Sequence, residues 1–74
     1  MDDMIKDDDI VISSNGFKLS VAEHNGKFIG EFIEDDEAEY AIIQFMNKND
    51  YWPDVWFVSD HGNVSPYKFD LYEH

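Results

Sequence analysis

The six residues Glu34-Asp35-Asp36-Glu37-Ala38-Glu39 hold five carboxylates and no base. Paired carboxylates perform general acid–base chemistry when a cleft drives their pKa values apart. They bind calcium when they alternate along a loop that also carries a glycine. This run is contiguous, lacks glycine and opens a predicted helix, so neither chemistry is expected. Asp7-Asp8-Asp9 fails the calcium pattern in the same way. His24 and His61 fall in predicted turns, and with His74 they share no metal-ligand spacing. Asp60-His61-Gly62-Asn63 uses residue types that turns favour for backbone reasons. Ser13, Ser14, Ser20, Ser59 and Ser65 stand outside any nucleophile elbow, and no glycine loop suits a phosphate. The chain has no Cys, which removes thiol catalysis, thiolate ligands and disulfides. The reading predicts no catalytic residue, no metal site and no cofactor.

What the acids do electrostatically is better defined. The net charge is −12, and the chain has no Arg. Residues 1–9 hold five acids against Lys6, and residues 31–39 hold six against none. The remaining 56 residues hold six acids and four Lys. The chain therefore reads as a near-neutral domain bearing two acidic blocks. Such a field repels phosphate backbones and anionic lipids and attracts basic surfaces. Direct nucleic-acid binding and membrane binding are not expected. Like charges three or four helix positions apart repel by a few tenths of a kcal/mol per pair, roughly. Capping needs one or two acids, so the rest of the second block is expected to serve a partner. Glu31, Glu34, Asp35, Glu37 and Glu39 are predicted to face it. Asp7, Asp8 and Asp9 are predicted to continue the same row of charge.

The elements that position these residues follow from periodicity. Residues 1–8 read as a loose acidic arm, and 9–74 as one domain. A chain of 74 residues buries only roughly 60% of the surface its unfolded form exposes. Its 12 aromatics must therefore carry much of the core. "DIVIS" predicts a first strand at about 9–13, and Asn15-Gly16 a turn. "FKLSVAE" alternates, with Phe17, Leu19 and Val21 on the predicted inner face. His24-Asn25-Gly26 predicts a second turn. "KFIGEFI" predicts a third strand with Phe28 and Phe32 on one face, and Gly30 between them as a bulge or a close contact.

The period then changes. Asp35 or, preferably, Asp36 is the expected helix cap, with Glu39 completing a capping box. Ala38, Ala41, Ile42 and Phe45 have the spacing of a buried helix face. Asn47-Lys48-Asn49-Asp50 and Pro53 end the helix. "VWFVS" at 55–59 predicts a central strand, and the segment after Pro66 a last strand, with Pro66 marking an edge or a break near its start. In "YWPDVWF", Trp56 is assigned to the core and Trp52 is a candidate exposed anchor for a partner. The predicted order is β-β-β-α-β-β. This is an α+β fold with a small antiparallel sheet and one helix on one face. No apolar run follows a basic N-terminal region, and no stretch approaches ~18 apolar residues. A cytoplasmic location is expected on that ground.

Very short size, strong acidity and aromatic-rich α+β content together resemble the small phage-encoded inhibitors of bacterial defence, of the anti-CRISPR and anti-restriction type. "WFVSDHGNVSPYKF", residues 56–69, is also similar in flavour to short phage proteins. The resemblance implies a stoichiometric protein inhibitor in the host cytoplasm. It would use its acidic surface to block a nucleic-acid-binding site of a defence enzyme or ribonucleoprotein. The alternative reading is a small non-catalytic adaptor or assembly domain that binds protein through a sheet edge or its aromatics, with acidity serving only solubility.

Overall fold

The computed structural model describes residues 5–67. Five strands and one helix follow in the order β1 (Ile10–Ser14), β2 (Leu19–Glu23), β3 (Phe28–Phe32), α1 (Asp35–Asn49), β4 (Val55–Val58) and β5 (Val64–Pro66). The α+β class and the order of elements agree with the sequence reading. The strands form one sheet in the spatial order β3-β2-β1-β4-β5.

The sheet is mixed, which corrects the expected antiparallel arrangement. Strands β1, β2 and β3 form an antiparallel meander, but β4 lies beside β1 in parallel, with Ile10 opposite Val55 and Ile12 opposite Phe57. The cause is the helix. Its 15 residues carry the chain about 22 Å back along β3, so β4 starts from the same end as β1 and β3. Alternation along a strand says which face is buried and nothing of the partner's direction.

The core lies between the helix and one face of the sheet. Ile10 and Ile12 from β1, Leu19 and Val21 from β2, and Val55 from β4 meet Ala38, Ile42 and Met46 from α1, all buried. Ile29, Phe32, Phe45, Phe57 and Tyr67 close its margins. Ala41, expected inside, is half-buried on the groove beside β3.

Two aromatic placements differ from expectation. Phe17 is 75% exposed, because the strand begins only at Leu19. The Asn15 side chain accepts the amides of Phe17 and Lys18 at 2.9 and 2.7 Å, and Gly16 has φ +84°. That local turn holds Phe17 outside the ladder. Phe28 and Phe32 lie on opposite faces. Opposite Val21 stands Gly30, but opposite Ala22 stands Phe28, so Ile29 is an inserted residue and a bulge. One extra residue reverses the side-chain parity of everything before it. Phe28 is therefore turned to the face away from the helix, while Ile29 and Phe32 reach the core. Gly30 satisfies both of its expected roles. It adjoins the bulge, and a Cβ on it would lie 2.7 Å from the Phe32 ring.

Pro66 sits in the outermost strand of the sheet, but as the last residue of β5 (Val64–Pro66), which precedes the strand expected after it. Tyr67 follows β5 outside any strand, and the rest of the expected strand, from Lys68 on, lies outside the described residues. The arm expected over 1–8 is described from Ile5. From there it is hydrogen-bonded to the domain, with the Asp7 carbonyl accepting the Asn25 amide at 3.0 Å.

Candidate functional site

The helix start is built from β3 and the first turn of α1. Helix α1 opens two residues earlier than the preferred cap, Asp36, predicts and one earlier than Asp35 would. Glu34 is its N-cap residue, with extended backbone (φ −111°, ψ 148°) and no side-chain capping bond. Neither Asp35 nor Asp36 is the cap, so the expected capping box is absent. Asp35, Asp36 and Glu37 all stand in the first turn, where the helix dipole favours negative charge.

Glu31, Glu34, Asp35, Asp36 and Glu37 are exposed. None makes a side-chain hydrogen bond or ion pair with a described residue. Glu34, Asp35, Asp36 and Glu37 stand together at the helix start, and Glu31 lies near the end of β3 on the sheet face away from the helix. The dipole offsets part of the mutual repulsion at the helix start, by about 0.3–1 kcal/mol per acid.

Glu39 does not belong to this cluster, which corrects its assignment to a partner-facing surface. It is 2% exposed, on the buried helix face with Ala38, Ile42 and Met46. The Tyr67 hydroxyl donates to its Oε2, tying the helix to the chain just beyond β5. A buried carboxyl must be hydrogen-bonded, and this one is. The sequence held a signal for it. Position 39 lies three before Ile42 and seven before Met46, within the apolar stripe.

Asp9 is corrected in the same way. It is 4% exposed, and its Oδ2 accepts the Trp56 indole N–H at 3.1 Å and the Lys6 amide at 3.0 Å. Asp7 and Asp8 are exposed, and Asp8 Oδ2 accepts the Tyr51 hydroxyl at 2.7 Å. That bond, with the adjacent carboxylates, raises the Tyr51 pKa to about 12. It also places Asp8 beside the end of the helix. Asp8 is therefore separated from the helix-start acids by the length of α1, about 22 Å. The single continuous row expected from sequence does not form.

Trp52 is 55% exposed in the loop after the helix. Trp56 is only half-buried and lies on the sheet face away from the helix, outside the main core. His61 Nε2 lies 3.8 Å from Asp60 Oδ1, both exposed in a turn. Among the described residues no group of three His, Asp or Glu could hold a metal ion, and no helix is long and apolar enough to cross a membrane. No protein family, curated protein or solved structure matches the chain.

Proposed function

We propose that this protein is a non-catalytic, protein-binding domain that presents Glu31, Glu34, Asp35 and Glu37 to a basic, nucleic-acid-binding surface of its target, and inhibits the target stoichiometrically. The observation that supports this reading is the state of these carboxylates. They are exposed, repel one another, cap nothing and neutralise no described base. Side chains three helix positions apart, as at Glu34 and Glu37, have Cβ atoms about 5–6 Å from each other, so these acids offer closely spaced negative charge as a nucleic-acid backbone does. The resemblance to phage-encoded inhibitors of bacterial defence supplies the class of target: a host nuclease or ribonucleoprotein of the cytoplasm.

The test is a combined replacement, Glu34→Gln, Asp35→Asn and Glu37→Gln. It keeps shape and removes three charges while leaving the buried Glu39 alone. Capture from a bacterial lysate is compared for the wild type and this variant, at low and high salt, with duplex DNA as competitor. The expected target binds nucleic acid, is displaced by DNA, and binds the variant about tenfold more weakly through slower association. Equal capture by the variant, or no displacement by DNA, would reduce the acids to a solvated face.

The adaptor reading is favoured by one separate observation. Trp52 and Phe28 are large, apolar and more than half exposed, and neither borders the acidic helix start.

A further inference from the structure

The helix covers one face of the sheet. On the other face the register sets Phe28 beside Ala22, Ala22 beside Val11, Val11 beside Trp56, and Trp56 beside Pro66. These five residues form one uninterrupted apolar row across all five strands. At about 4.8 Å per strand it spans roughly 19 Å. Phe28 is 63% exposed, Pro66 is exposed, and the three between them are half-buried. At the Pro66 end the row opens into a groove of about 520 Å³ lined by Ile5, Trp56, Val64 and Pro66.

An apolar sheet face is buried against another element, and a packed helix is one such layer. Among the described residues only one helix is present. The row lies on a face, so strand addition at an edge would leave it open. Charge selects the occupant further. Glu31 stands in the neighbouring row of the same face, opposite Ser20, and Asp7 and Asp8 are exposed where the chain enters β1. No lysine stands in any of the five strands. A second copy of the chain would bring another −12 against the same acids. Anionic lipid is repelled for the same reason.

We infer that the row Phe28, Ala22, Val11, Trp56 and Pro66 is a docking surface for an amphipathic helix of a partner protein, with an apolar stripe bordered by lysine or arginine. About 13 residues of such a helix match the row in length. The surface borders Glu31 but not the helix-start acids Glu34, Asp35 and Glu37, and the inference does not rest on the function proposed for those acids.

The probe is a synthetic amphipathic peptide of leucine and lysine, about 18 residues long, titrated into the full-length ¹⁵N-labelled protein. Binding is expected to shift the amides of Val11 and Ala22 and the Trp56 indole N–H. Phe28→Ser, at an exposed position, should weaken it about tenfold. A peptide with glutamate in place of lysine should not bind. The variant neutralised at Glu34, Asp35 and Glu37 should bind within about twofold of wild type, which separates this surface from the acidic one. Shifts confined to residues 34–37, or an affinity unchanged by Phe28→Ser, would overturn the inference. So would nuclear Overhauser contacts in the free protein from Val11 or Phe28 to residues 68–74, which would make the chain's own segment the occupant. A concentration-dependent dimer that buries these residues would assign the face to a second copy instead.

Discussion

The Trp56 indole N–H is held by the Asp9 carboxylate at 3.1 Å, across 47 residues of chain. The bond locks the segment before β1 to β4, the strand beside it. It turns an acid of the first block into a structural group. Asp9→Ala removes the acceptor of both the indole and the Lys6 amide. The expected loss is about 1–3 kcal/mol, read from the denaturant midpoint, with a shift in tryptophan emission. Asp7→Asn, on an exposed neighbour, should change stability by less than about 0.5 kcal/mol. Equal effects of the two would mean that the Asp9 bond carries no stability.

The two tryptophans should separate in the same assay. Trp56→Ala loses half-buried area and leaves Asp9 without its indole donor, a cost of about 2–4 kcal/mol. Trp52→Ala, more than half exposed, should stay within about 0.5 kcal/mol of wild type. A large loss at Trp52 would make it structural as well.

Glu39 and Tyr67 form the corresponding tie on the helix side. Tyr67→Phe deletes the donor and should cost about 1–2 kcal/mol. Glu39→Ala adds lost packing and should cost more, about 2–4 kcal/mol. Glu37→Gln, two residues earlier and exposed, should be near neutral. Urea melts of the three variants check the order; an equally costly Glu37→Gln would contradict the division between buried and exposed acids.

The helix ends on a residue that does not suit its place. Asp50 has φ 53° and ψ 48°, its amide meets the Asn47 carbonyl, and the Tyr51 amide meets the Met46 carbonyl at 3.1 Å. This left-handed position favours Gly or Asn, and the helix dipole disfavours a negative charge there. Asp50→Gly should stabilise by about 0.5–1 kcal/mol, a rise in Tm of roughly 2–8 °C. A lower Tm would show that the carboxylate has a compensating role.

The Tyr51–Asp8 bond has a signature in alkaline titration. A raised pKa means that folding favours the neutral phenol. The associated stabilisation is present below pH ~10, the unperturbed tyrosine value, and is lost as pH rises through about 12. The difference in absorbance at 295 nm between wild type and Tyr51→Phe should titrate near pH 12. Asp8→Asn should move that midpoint toward 10; no movement would assign the shift to another cause.

Periodicity alone placed most elements of this protein. The alternation of Leu19 and Val21, the change of period at Ala38, and the Gly and Pro punctuation act over a few residues, and local order needs no more. Phe17 departed from the alternation because a side-chain-capped turn holds it before the strand begins. Phe28 departed because a single inserted residue, Ile29, reverses parity. The acidity and the absence of thiol chemistry were likewise settled by composition. The tertiary structure decided what depends on residues distant in sequence. It paired β4 with β1 in parallel, because the helix returns the chain to the end from which β1 starts. It took Glu39 and Asp9 out of the acidic surface, because Tyr67 and Trp56 are 28 and 47 residues away from them. It divided one expected row of charge into two ends, because a helix of 15 residues stands between them. It also aligned Phe28, Ala22, Val11, Trp56 and Pro66 across five strands. Hairpin turns and alternation set the register within the β1–β2–β3 meander, but the pairing of β1 with β4 joins segments far apart in sequence, and no local pattern encodes it.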